Sequence, residues 1–359
     1  MLTPIHHAEL RAFAGGLLLA CGSHAAEAMV VADHLVDANL AGHDSHGIGM
    51  LPLYLDSVRR GKLFVNRVPR VVNDFAAIQV FEGDRGFGHP AARSVLDCAM
   101  QRAGEFGVAL VALRNSGHVG RLGAHGEYVA AAGYAALLLV NATGRPPSVA
   151  PHGGSEPRLS SNPFCFAYPA LDGMAPVVLD AATAGMAIGK ARVARAAGQP
   201  LPPGLLLDDQ GRPTTDPRFA LGDPQGALLP FGLHKGSGLG LFCDLFAGAL
   251  CGAETAQPGN GNQTRMGATN NMLAIVIDPA RLGERDNVLV EARAMLDYFK
   301  SSRPTDPAQP VMLPGEIEAR TRTQRLADGI TIDAATWKQL TRLAQDAGVA
   351  PPQADTATD

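Results

Sequence analysis

The chain opens on a helical rhythm. Leu10, Phe13, Leu17 and Leu18 recur at the three- and four-residue spacing of one helix face, and Pro4 suits a first turn. Ser23 offers an N-cap to a second helix bearing Met29, Val31, Leu35, Val36 and Leu40, with Gly42 placed to end it. A third helical pattern runs through Leu53, Tyr54 and Val58 to Gly61. The rhythm then changes. Short apolar, β-branched runs at Ile78–Phe81, Val108–Leu113, Ala135–Val140, Phe164–Tyr168, Pro176–Leu179 and Met272–Ile277 read as strands. Helical stretches such as Ala91–Ala103 and Gly123–Ala132 separate several of them. The pattern predicts an α/β (α+β) chain with an N-terminal helical lobe. Loops rich in Pro and Gly span Gly198–Pro217 and Arg303–Gly315, and Pro351–Asp359 reads as a disordered tail.

Composition narrows the partners. Of 359 residues 46% are hydrophobic and 18% charged, with a formal net charge of -4. That balance argues against nucleic acid or an anionic membrane as the main partner. No apolar run reaches the roughly 18 residues needed to span a bilayer, and Met1–Pro4 has no signal-peptide pattern. Five scattered cysteines, none in a C-x-x-C pair, point to reduced thiols and a cytoplasmic location.

Four polar segments carry candidate chemistry. Gly42-His43-Asp44-Ser45-His46-Gly47 places two histidines and an aspartate at the expected end of the second helix, where carbonyl partial charges favour imidazolium, a general acid. It reads equally as a polar surface turn. Asn115–Gly123 follows a strand, and its glycines let backbone approach a ligand while His118 and Arg121 project from the loop. A solvated strand-to-helix turn is the plainer reading. Asp180 ends the run from Pro176 and can accept from ribose hydroxyls or cap a helix. His234 and Lys235 open a helical stretch whose N-terminus suits phosphate. Neither G-x-G-x-x-G after a strand nor a Walker A pattern is present, so local patterning does not support a Rossmann domain.

Taken in order, Gly42–Gly47, Asn115–Gly123, Ser161–Phe164, Val177–Ala182, Leu229–Gly238 and Leu313–Glu316 resemble the malate/L-lactate dehydrogenase family that lacks a Rossmann fold, over roughly residues 5–345. Gly42–Met50 is most similar to its hydroxycarboxylate dehydrogenase B branch. The resemblance implies a nicotinamide-binding fold with a mostly antiparallel sheet, a homodimer, and NADH, or alternatively NADPH, as cofactor. It implies His46 as proton donor to the substrate oxygen, Ser45 as its support, and His118 on the substrate side of the nicotinamide. Cofactor contacts carry over to His46, to Gly120, Arg121 and Leu122, to Pro176, Val177, Val178, Leu179 and Asp180, to His234 and Lys235, and to Leu313, Pro314, Gly315 and Glu316, with Asn270 in addition. On this reading residues 1–75 form the helical lobe carrying the catalytic histidine, 76–290 hold cofactor and substrate, 291–345 pack back on the first lobe, and 346–359 are a tail.

One departure concerns the substrate. Many members have arginine four residues after the catalytic histidine, placed to hold the substrate carboxylate; here that position is Met50. Arg121 or another cation is then expected to anchor the carboxylate, and a methionine wall suits aromatic 2-oxo acids. The expected reaction is reversible reduction of a 2-oxo acid to a 2-hydroxy acid. A cyclic-imine carboxylate reductase is one rival. A metal-dependent hydrolase built on His43, Asp44 and His46 is another, although the set lacks helical ligand spacing and a clear distant ligand.

Overall fold

The structure is a computed structural model that describes residues 4–171, 173–196, 198–257, 268–283 and 285–352. Three helices come first: α1 (His7–Ala20), α2 (Ala25–Leu40) and α3 (Leu51–Arg59). Leu10, Leu17, Val31, Leu35, Leu51 and Tyr54 are buried in one core. The chain's last described helix, α10 (Ala334–Ala347), adds Leu340 and Ala344 to that core, and an isolated bridge pairs Ile5 with Ile330. Asp333 caps α10 by accepting from the Thr336 amide.

Several local expectations need correction. Ser23 does not cap α2; its hydroxyl donates to Glu27, and His24 holds the cap position without a side-chain bond. Met29 lies on the solvent side of α2 at 61% exposure. Pro4 precedes α1, whose cap is His6. Helix α10 continues to Ala347, past the expected start of the tail, and residues 353–359 lie outside the described residues.

The central sheet has seven strands: β1 (Arg70–Phe75), β2 (Ile78–Glu82), β3 (Val108–Ser116), β4 (Ala135–Thr143), β5 (Phe164–Tyr168), β6 (Val177–Ala181) and β9 (Thr269–Ile277). Their order is β1-β2-β3-β9-β4-β5-β6, and only the β2–β3 pair is parallel. A two-stranded ribbon, β7 (Leu206–Leu207) with β8 (Ala227–Leu228), stands apart. Helices α4 (Gly88–Phe106) and α5 (Leu122–Ala131) cover one sheet face, burying Val95, Leu96 and Val129 against Val111, Leu138 and Val276. Gly107, in the left-handed region at φ 84°, ends α4 where a side chain would be strained. The remaining helices are α6 (Ile188–Ala196), α7 (His234–Cys243), α8 (Arg285–Lys300) and α9 (Glu316–Asp328). No helix among the described residues is long and apolar enough to cross a membrane.

Strand direction fixes where a site can form. β9 runs antiparallel to both β3 and β4, so those two share a direction, and β2 runs with β3. β6 is antiparallel to β5, which is antiparallel to β4, so β6 shares it too. The carboxyl ends of β2, β3, β4 and β6 therefore open at one edge of the sheet, where α/β folds gather their ligands.

Candidate active site

The His46 motif forms a single 3-10 turn, Asp44–His46, after α2 has already closed at Leu40. Asn39 anchors the turn: its amide donates to Asp44 and its carbonyl accepts from the Ile48 amide. Gly47 is pressed against Asn39, where a Cβ would come within 2.3 Å of three side-chain atoms. Asp44 is held by Arg325 of α9, and His43 pairs with Glu318 of the same helix at 3.1 Å. Both residues are thus engaged away from His46. The Ser45 hydroxyl lies 3.0 Å from His46 Nδ1, which leaves Nε2 as the nitrogen available to a ligand.

His118 arrives from the carboxyl end of β3. Its ring stacks against that of His46 with centroids 5.5 Å apart and planes 20° from parallel. Asn270 shapes this loop: its side-chain carbonyl accepts from the Val119 amide, and its amide donates to the Asn141 carbonyl on β4. Asn270 joins these strands, a positioning role beside its expected contact with cofactor. Behind His118 the Tyr54 hydroxyl lies 2.7 Å from Nδ1, and His89, His34 and His125 continue as a buried row of rings. In the sequence Tyr54 stands only as a position of the third helical pattern, and these three histidines belong to no candidate segment. Their spacing carries no motif, and only the packing of α2, α4 and α5 brings them together.

These rings are kept neutral. His46 and His118 retain some solvent-facing surface, yet protein surrounds them and removes most of their hydration. Burial is the main cause that lowers the His46 pKa to about 4, helped by His43 and Arg121. Burial likewise holds His118 well below its ordinary value, with His46, His89 and Arg145 adding to the effect. The expected imidazolium at a helix end is thereby corrected: the α2 terminus is five residues away at Ala41, and desolvation outweighs it.

Arg121 does not project into solvent. It is 2% exposed, its Nη2 donates to Glu127 at 2.5 Å, and its Nε lies 3.9 Å from Asp180. Burial, the largest single effect, works against its charge, but Glu127, Asp180 and Glu318 together outweigh it and its pKa is raised. Nε and Nη1 find no hydrogen-bond partner among the described residues. Asp180 accepts from the Gly123 amide at 2.7 Å, so it caps the first turn of α5, not the helix that follows it in sequence. Gly120 has φ 82°, and a Cβ there would lie 2.3 Å from His34.

The other candidates fall into two groups. Pro176–Asp180 and Leu313–Glu316 are adjacent: the Val178 amide donates to the Pro314 carbonyl, and Gly315 sits 3.5 Å from Val178 N by its missing Cβ. The Glu316 carboxylate closes this turn on the Leu313 amide. Gly123 then links the segment, through Asp180, to Gly120–Leu122. His234 and Lys235 stand apart at the exposed start of α7, tied to the end of β6 through the Phe231 amide and the Thr183 carbonyl. No hydrogen bond or ion pair among the described residues joins them to His46 or Arg121.

Residues 5–341 match the model of the malate/L-lactate dehydrogenase family. Hydroxycarboxylate dehydrogenase B of Escherichia coli K12 is 41% identical over 341 residues, covering 95% of this chain and 93% of that protein. A Delta(1)-pyrroline-2-carboxylate/Delta(1)-piperideine-2-carboxylate reductase of Pseudomonas putida is 31% identical, covering 90% and 92%. Among solved structures, sulfolactate dehydrogenase from Methanocaldococcus jannaschii superposes with a TM-score of 0.86 at 30% identity, over 97% of this chain and 98% of that one.

Proposed function

The chain belongs to the malate/L-lactate dehydrogenase family, and from that premise we propose that it interconverts a 2-oxo acid and its 2-hydroxy acid with a nicotinamide cofactor. The observation that carries the reading is the His46–His118 stack at the carboxyl edge of the sheet, each ring fixed through Nδ1 by a hydroxyl.

The residues fit a dinucleotide. Arg121 offers two buried donors without partners, Gly120 brings backbone close, and Lys235 sits at a helix N-terminus. His46, Gly120–Leu122, Pro176–Asp180, His234, Lys235, Asn270 and Leu313–Glu316 would hold it. When bound, the nicotinamide supplies or accepts the hydride at C2 of the substrate. His46 Nε2 takes the hydroxyl proton during oxidation and returns it to the oxygen during reduction. Ser45 fixes the ring, and His118 directs a second polar nitrogen at the same oxygen. Neutral His46 makes the free protein ready as a base, so oxidation needs no prior proton loss.

The substrate reading rests on Met50, which packs half-buried on the N-terminal core at the place where many relatives carry arginine. We propose aromatic 2-oxo acids over dicarboxylates. The test is kcat/KM for phenylpyruvate and oxaloacetate, with NADH and with NADPH. A preference for oxaloacetate would remove the role given to Met50. NADH is the proposed cofactor, since the Asp180 carboxylate would repel a 2′-phosphate. A second reading, reduction of a cyclic imine carboxylate, is favoured by the Pseudomonas putida relative, and assaying a ring imine beside its open-chain oxo acid separates the two.

A homodimer in the cytoplasm completes the proposal. Leu241, Phe242, Leu245, Phe246 and Leu250 form an exposed apolar face along α7 and the turns after it, suited to a second copy. All five cysteines are free thiols, as a reducing compartment keeps them.

A further inference from the structure

If the site handles 2-oxo acids, as proposed above, the substrate carboxylate needs a cation. Met50 cannot supply it, and the charge of Arg121 is balanced by Glu127 and Asp180 while its free donors are assigned to the cofactor above. Strand register points to another residue. Ser116 of β3 and Ala142 of β4 both pair with Asn270 of β9, one on each side. Two residues past Ser116 the chain reaches His118. Three residues past Ala142, after a turn at Gly144 with φ 72°, it reaches Arg145. Both residues therefore emerge from the same sheet edge, flanking one strand.

Arg145 stands on the His118 and Tyr54 side of the site. Its charge acts on both His118 and the Tyr54 hydroxyl. The approach of α6 closes the other side: a Cβ at Gly189 would lie 2.8 Å from that of Ser45, and Arg192 follows one turn later. Surrounding protein lowers the Arg145 pKa, Tyr54 opposes that, and repulsion from Arg192 adds to it. Among the described residues no carboxylate acts on Arg145 and it forms no ion pair. Its side chain is nonetheless exposed to solvent. A partly desolvated guanidinium facing a second arginine, with no acid beside it, is an arrangement that an incoming anion completes.

We propose that Arg145 binds the carboxylate of the substrate, opposite His46, and thereby makes this a site for 2-oxo acids in place of the arginine that Met50 replaces. A guanidinium presents paired donors in the plane a carboxylate prefers, which would set the C2 carbonyl against His46 Nε2.

The test compares phenylpyruvate with its methyl ester, in wild type, Arg145→Gln and Arg145→Lys. Wild type is expected to favour the acid. Arg145→Gln should lower kcat/KM for the acid by roughly 10- to 150-fold, the size of one charge-assisted hydrogen bond, mainly through KM. The ester should be unaffected, and Arg145→Lys should restore part of the loss. An acid-to-ester ratio equal in wild type and Arg145→Gln overturns the anchor alone. Wild type that reduces neither compound, and not oxaloacetate either, with NADH or NADPH overturns the reductase reading, and the anchor with it.

Discussion

The Tyr54 hydroxyl lies 2.7 Å from His118 Nδ1 and 3.4 Å from His89 Nε2. Burial keeps the phenol protonated well beyond its ordinary range, so it has one proton to give, and giving it to the shorter contact would make His118 Nδ1 the acceptor. His118 then carries its own proton on Nε2, the nitrogen facing away from Tyr54. Tyr54→Phe removes this constraint and leaves a buried nitrogen unpaired. Stability is expected to fall by about 1–3 kcal/mol and kcat to fall by less than the roughly 10²-fold loss of a proton-transferring group. A denaturation midpoint and kcat measured on the same preparation check both. Unchanged kcat in the folded variant would show that the His118 tautomer does not matter.

His46 sets a distinctive pH profile. With a pKa of about 4 in the free protein, it is neutral across the ordinary working range. For oxidation of the hydroxy acid, kcat/KM should stay level above pH 5 and decline as pH falls through about 4. For reduction the sign reverses: the protonated fraction, and kcat/KM with it, should drop about tenfold per pH unit above that value. His46→Gln should cost roughly 10²–10⁴ in turnover in both directions. A reduction profile that stays flat to pH 7 would place the proton donor elsewhere.

The buried row of rings makes the fold sensitive to acid. His34, His46, His89, His118 and His125 are all depressed, each chiefly by burial, with His125 near 4 and His89 near 3. Unfolded, each titrates at about 6.5. Between that value and the folded one the unfolded chain binds more protons. Stability is therefore full above pH 6.5 and lost as pH falls. Each histidine contributes about 1.4 kcal/mol per pH unit in that window. Asp180 and Asp244, raised by burial, pull the other way with fewer groups. Denaturant midpoints at pH 7.5, 6 and 5 should descend steadily, and equal midpoints would contradict neutral, buried rings.

Much of this was visible in the chain. The six apolar runs became strands because their apolar residues line the sheet face that α4 and α5 cover, as Val111 and Leu138 do. The strand β1 escaped notice because every residue from Arg70 to Phe75 is exposed, so no apolar alternation marks it. His46, Ser45 and His118 came from motif order and meet in space. Arg121 looked like a loop cation, and only Glu127 one turn into α5, together with Asp180 from a distant strand, shows why it is buried. Arg145 carried no signal at all: its meaning lies in the shared register of β3 and β4 on β9. Long-range contacts of this kind have no footprint in local spacing.

Lys235 gives the clearest handle on cofactor binding apart from chemistry. It lies in the first turn of α7, a helix of 10 residues, with its side chain exposed and no acidic partner among the described residues. Gly236 behind it is forced by packing, since a Cβ would lie 2.0 Å from the Phe231 carbonyl oxygen. The helix start is thus held rigidly while its amides and the ammonium stay available to an anion. Lys235→Met keeps the length of the side chain and removes the charge. The apparent KM for NADH should rise by about tenfold, corresponding to roughly 1.5 kcal/mol for one charged hydrogen bond at an exposed position. KM for the 2-oxo acid and kcat at saturating cofactor should hold steady, because Lys235 has no link to His46 or His118. The increase should shrink as salt rises, since an exposed charge is screened over about 10 Å at 0.1 M ionic strength. Tryptophan fluorescence titration with NADH, using Trp337 as the single indole, reads binding without turnover. Equal affinity for NADH in wild type and Lys235→Met would take the phosphate away from α7 and leave Arg121 as the cation to test next.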